Sequence, residues 1–137
     1  MNLHTFMDHH FAHAAMRVRL DEELGNWHGL SWEDFVLLAE LDAGDGSVDA
    51  AALATRLGLG RSALLLRLLP LEKIGLVARE ANAERARCVA LRAGGRRLVR
   101  EARATAEAAC ALVGQGSLAN SSQASTSARE HAKAPSS

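Results

Sequence analysis

The feature that most constrains this chain is a glycine corner set between two short apolar segments. Leu53-Ala54-Thr55-Arg56-Leu57 has helical spacing, and Asp49 stands where it can cap such a helix. Gly58-Leu59-Gly60 follows at once, and a second helical segment begins at Arg61. Gly58 suits the left-handed backbone that a sharp corner demands. A short helix, a glycine turn and another helix form a helix-turn-helix pattern.

The flanking segments complete the arrangement. Residues 3–24 read as a helix, with Leu3, Met7, Phe11, Ala14 and Val18 on one face and a stop at Gly25-Asn26. Ser31, with Asp34 three residues on, opens a second helix through Phe35, Leu38, Ala39 and Leu41 as a near capping box. A loop covers residues 43–47. Residues 76–80 and 85–91 read as two short strands joined by Ala81-Asn82-Ala83-Glu84. A last helix from Ala93 carries a stripe of Leu98, Ala102, Ala106, Ala109 and Val113. The expected fold is mainly α with a small β-hairpin: a winged helix-turn-helix, its core at residues 29–98, flanked by N- and C-terminal helices at 3–24 and 93–113.

A chain of 137 residues holds one such domain, placed at residues 1–113. Residues 114–137 are Ser/Ala-rich, with one Leu and no Val, Ile or aromatic residue. Such a composition predicts a disordered tail. Four histidines and Asp8 within the first thirteen residues break any signal-peptide apolar core, and no apolar run approaches membrane-spanning length. The expectation is a cytoplasmic protein with no membrane partner. Cys88 and Cys110 fit no metal spacing and read as small core residues. His9 and His13 share a helical face, but no second cluster matches them, so no metal is expected.

Formal net charge is zero, yet the charge is segregated. Residues 1–50 hold ten acids and two arginines, whereas residues 51–113 hold twelve bases and five acids. The basic half suggests a polyanion partner; the alternative is that the two halves attract each other within the fold.

The stretch Leu53-Ala54-Thr55-Arg56-Leu57-Gly58-Leu59-Gly60-Arg61-Ser62-Ala63, followed by Leu71-Glu72-Lys73-Ile74-Gly75-Leu76-Val77 and Gly95-Arg96-Arg97-Leu98, resembles the MarR family of transcriptional regulators. Gly29-Leu30-Ser31 precedes it in the same register. The resemblance implies a homodimer whose first and last helices intertwine. It implies a helix from Arg61 in the major groove of double-stranded DNA and a hairpin on the backbone or minor groove. It also implies a small anionic aromatic effector. The sequence departs from the family pattern at three places. The tail from Gly114 offers no second C-terminal helix, Ala83 stands where the wing usually has an acid, and the recognition helix is apolar on its outer face.

Seven residues are the candidate DNA contacts. Arg61 and Ser62 stand near the helix N-terminus and suit phosphate. Leu66 and Lys73 lie on the outer face, with Leu69 and Pro70. Leucine there can offer only apolar contact with thymine methyls, and Pro70 removes a backbone donor and is expected to kink the helix. Arg79, Arg85 and Arg87 flank the hairpin, where they neutralise phosphate or pair with Glu80 and Glu84. Trp27, His28 and Trp32 are the candidate effector residues, or else ordinary core aromatics. No nucleophile–base pair, P-loop or dinucleotide fingerprint occurs, so no enzyme activity or cofactor is expected. The reading is a dimeric DNA-binding regulator, a repressor released by a small effector. The alternative is a degenerate winged helix that binds another regulator protein through its leucine-rich fourth helix.

Overall fold

The computed structural model describes residues 1–81 and 87–132, with side chains through residue 112. Its elements run α1 (Leu3–His28), α2 (Trp32–Ala43), β1 (Ser47–Asp49), α3 (Ala50–Leu57), α4 (Arg61–Lys73), β2 (Val77–Ala81), β3 (Arg87–Leu91) and α5 (Ala93–Ala132). This is the winged helix-turn-helix expected from the sequence, flanked by a long helix at each end. Asn82 to Glu84 of the expected hairpin loop, and Arg85, lie outside the described residues.

Local chemistry sets the helix boundaries. Ser31 Oγ accepts the Asp34 N–H at 3.0 Å, and Asp49 accepts the Ala52 N–H at 3.0 Å. Each satisfies one orphan donor of a first turn. Gly58 adopts φ 69°, in the left-handed region, and its N–H reaches the Ala54 and Thr55 carbonyls. The corner between α3 and α4 thus has the backbone that the sequence predicted.

α1 runs through Gly25-Asn26 to His28, past the expected stop. The stop moves to Gly29, which takes φ 69° and returns its N–H to the Gly25 carbonyl at 3.1 Å. Leu24, fully buried, anchors this last turn, so packing overrides the modest cost of a helical glycine. Pro70 likewise sits inside α4, which continues to Lys73.

The sheet is antiparallel in the order β1-β3-β2. Ser47 pairs with Ala90 and Asp49 with Cys88, while Val77 pairs with Leu91 and Ala81 with Arg87. The sequence reading has a loop at residues 43–47, Asp49 as a helix cap and no strand here: three residues are too few to show an alternating pattern. Pairing with β3 supplies what local sequence does not.

Leucine dominates the core, with twelve of the twenty buried residues among those described. Leu20 and Leu24 of α1, Leu37, Leu38 and Leu41 of α2, Leu53 of α3, and Leu64, Leu68 and Leu71 of α4 are buried. Val99, Ala102, Ala106 and Ala109 bring α5 against them. No described polar or charged residue is buried. Cys110 is exposed, contrary to the expected core position, because it follows Ala109 and the helical step turns it off the buried stripe. The α5 backbone passes Gly114 and continues to Ala132, where the sequence reading ended the helix at Val113 and placed a tail. Ala, Gln, Glu and Arg in that stretch favour helix locally, and no proline interrupts residues 114–132.

α5 enters the core at a point of close approach. A methyl group on Gly95 would overlap the Leu76 carbonyl oxygen and come within 2.8 Å of Leu91 Cδ1. A methyl group on Gly25 would meet nothing nearer than the Leu30 carbonyl oxygen, at 3.9 Å. Gly95→Ala should therefore lower stability by about 1–3 kcal/mol, as overpacking does. Gly25→Ala should raise it by about 0.5–1 kcal/mol by removing a flexible helical residue. Urea unfolding midpoints at constant m-value measure both.

Candidate nucleic-acid interface

The start of α4, the start of α3 and the two wing strands enclose an open groove of about 860 Å³. Arg61, Ser62 and Leu65 form one wall, and Arg79, Arg87 and Cys88 the other. Four of the seven residues expected to meet DNA thus share one groove. Gly60 caps α4 without a side-chain hydrogen bond, so its first-turn N–H groups have no side-chain acceptor. Such a helix end attracts anions through its amides and its dipole.

The cations here divide into two sets. Arg79 Nε donates to Glu72 of α4, which ties the wing to that helix. The expected partners were Glu80 and Glu84; the acid used lies instead across the groove's edge on another element. Arg61, Lys73 and Arg87 make no ion pair with a described residue, and all three are exposed. Lys73 stands at the far end of α4, outside the groove. Leu66 is 70% exposed and Leu69 43% exposed, so the outer face of α4 is apolar in the structure as in the sequence.

A second cluster was not foreseen. Glu33 of α2 accepts from Arg17 of α1 and from Arg67 of α4, the latter at 2.8 Å. Arg17 also approaches Asp21 at 3.8 Å, and Asp21 accepts the Trp32 N–H at 2.6 Å. This network joins α1 to α4 through α2. Burial pushes the neighbouring Asp34 carboxyl above its ordinary value, against the pull of the Ser31 hydroxyl and the Arg67 guanidinium. The one available sequence signal was Arg67 itself, the sole charge within residues 62–71.

The candidate effector residues point to different surroundings. Trp27 is 73% exposed. His28 Nε2 lies 2.7 Å from Thr105 Oγ1 and links α1 to α5. Trp32 stacks on Phe35 with centroids 5.7 Å apart and lines a cavity of about 170 Å³ with Arg17, Glu33 and Arg67. One chain therefore does not bring the three together. His13 borders that cavity, and His4 lies 3.5 Å from Asp8. Among the described residues no three His, Cys, Asp or Glu side chains are placed to hold a metal. Nor, among them, is any helix long and apolar enough to cross a membrane.

The Glu33 network spans three helices, with side chains about one-third exposed; Arg56–Glu40 is a single pair whose arginine is 72% exposed. Networks matter more than isolated surface pairs. Glu33→Gln should cost about 1 kcal/mol in urea unfolding, and Glu40→Gln about 0.3 kcal/mol or less. Equal costs would show that the network adds nothing beyond its separate pairs.

No family model matches the sequence, and no curated protein matches it either. Solved structures do match in fold. A MarR-family transcriptional regulator from Rhodococcus sp. RHA1 superposes with a TM-score of 0.73 at 21% identity, over 92% of this chain and 93% of that one. CouR from Rhodococcus jostii RHA1, bound to p-coumaroyl-CoA, gives 0.72 at 21% identity, over 91% and 88%. A mutant MarR from E. coli, complexed with operator DNA, gives 0.67 at 20% identity, over 75% and 74%. The chain has the winged-helix fold of the MarR-family transcriptional regulators.

Proposed function

We propose that this chain is a DNA-binding transcriptional regulator of the MarR type that works as a homodimer in the bacterial cytoplasm. The carrying observation is the groove that gathers Arg61, Ser62 and Arg87 beside the uncapped start of α4. Cations without an ion pair to a described residue, and first-turn amides that Gly60 leaves uncapped, suit a phosphate backbone. Arg85, on the same hairpin, is assigned to that backbone too, and Lys73 to a phosphate at the other end of α4. The fold presents this groove as the wing-and-helix surface, and one of its structural likenesses was solved with operator DNA.

The dimer follows from the first helix. Leu3, Phe6, Met7, Phe11 and Val18 are exposed along α1, whereas Leu20 and Leu24 in its C-terminal half are buried and His28 at its end reaches Thr105 of α5. An apolar stripe of this length is a surface for a partner, and a second copy intertwined through α1 and α5 covers it. The regulator acts as a repressor, and a small anionic aromatic effector releases it from DNA. Trp27, His28 and Trp32 receive that effector, the partner's α1 closing a site that one chain leaves divided. Half-buried Trp32 beside Arg17 and Arg67 supports this assignment, and CouR, a protein of the same fold, was solved with p-coumaroyl-CoA.

Duplex binding should weaken steeply with salt. Arg87→Ala should flatten the slope of log affinity against log salt by about one phosphate contact per subunit. Arg56→Ala, outside the groove and paired with Glu40, should leave the slope unchanged. Unchanged affinity and slope for Arg87→Ala would contradict the assignment of the wing. Light scattering of the same sample should give the mass of a dimer, and a monomer at micromolar concentration would contradict that part of the reading.

A further inference from the structure

We infer that α4 chooses its DNA site through thymine methyl groups, with Leu66 and Leu69 as the reading side chains. The inference rests on the DNA-binding reading above and adds what the helix recognises.

Ser62, Leu66, Leu69 and Lys73 follow one another in steps of four, three and four, so they form one stripe along the helix. The opposite face, with Leu64, Leu68 and Leu71, is buried. The stripe is therefore the part of α4 that any groove must meet. Its two ends are polar and its middle is leucine. Leu65, 40% exposed, widens the apolar middle toward the wing. Arg67 is the one charged side chain within this middle stretch, and Glu33 holds it toward α1 and α2. Arg79 is engaged by Glu72. Among the described residues, no side chain able to hydrogen-bond a base edge projects from the centre of the outer face.

The occupant is identified by charge and by chemistry together. Arg61, Lys73 and Arg87, without ion pairs to described residues, bracket the leucines. The matching surface is an anionic polymer with apolar groups recessed between its charges. The major groove of duplex DNA has this form, and its apolar group is the C5-methyl of thymine. Leu66 and Leu69 are separated by about 4.5 Å of helix rise, and successive base pairs by about 3.4 Å. The two side chains therefore meet methyls one or two base-pair steps apart.

The test begins with selection of preferred duplexes from a random-sequence library by the full chain. The selected duplex is then made again with deoxyuridine in place of individual thymidines. Uracil keeps the base pair and the O4 acceptor and lacks only the methyl. Affinity should fall roughly fourfold for each contacted thymine, the equivalent of about 0.8 kcal/mol for one buried carbon. The salt slope should not change, because phosphate contacts are untouched. The Leu66→Gln, Leu69→Gln double variant should bind thymine and uracil duplexes alike. Both side chains are exposed, and a circular dichroism spectrum like that of the parent verifies the fold. Equal binding of the two duplexes by the parent chain overturns the inference while leaving DNA binding intact. So does a double variant that keeps the full thymine preference. A protein contact that the double variant abolishes, with no thymine preference in the parent, assigns the face to a protein and overturns it as well. Absence of binding to any duplex at low salt contradicts the reading of function itself, a result distinct from the others.

Discussion

The division of α4 into a buried and an open face is the constraint on which the molecule depends. With 3.6 residues per turn, Leu64, Leu68 and Leu71 recur on one side and enter the core. That burial fixes the rotation of the helix about its own axis, and with it the direction of every other residue on it. Ser62, Leu66, Leu69 and Lys73 have nowhere to face but outward. At its C-terminal end the Leu76 N–H returns to the Leu71 carbonyl at 2.9 Å, and Gly75 at φ 84° turns the chain into β2. At its N-terminal end the Gly58 corner brings α3 alongside. The groove between helix and wing follows from these two turns and the leucines between them.

Electrostatics repeat the division. The acidic first third and the basic remainder do attract each other, through Glu33 to Arg67, Glu40 to Arg56, and Asp42 to Arg96 and Arg100. Attraction between the two halves, the second interpretation of the segregated charge, therefore describes part of the molecule. Several arginines stabilise contacts between helices, where each pair is worth little alone and more within a network. Arg61, Lys73 and Arg87 are among the arginines and lysines without an ion pair to a described residue, as are Arg19, Arg92, Arg97 and Arg103 elsewhere on the surface. Of these, Arg61 and Arg87 line the groove between α4 and the wing.

Much of this was legible because it is local. The glycine corner, the Ser31 and Asp49 caps and the helical stripes all depend on residues within a few positions of one another. The Leu66 and Leu69 face was legible for the same reason, since burial of one side of a helix determines the other. What escaped depends on distant partners. β1 exists because β3 pairs with it. α1 passes Gly25 because Leu24 is buried from the far side. Glu33 gathers Arg17 and Arg67 from elements 16 and 34 positions away, a separation with no periodic signature. The candidate effector residues are close in sequence but diverge in space: His28 meets α5, Trp32 stacks on Phe35 of its own helix, and Trp27 is left outside.

The central claim is that one surface, formed by the first turns of α4 and the strands β2 and β3, is where duplex DNA lies. Amide hydrogen exchange of the full chain with and without a duplex reads this directly. Added DNA should slow exchange within residues 61–69 and 77–91. The buried middle of α2, which turns away from the groove, should exchange as before. Slowing confined to α1 or α5, with residues 61–69 and 77–91 unchanged, would contradict the account.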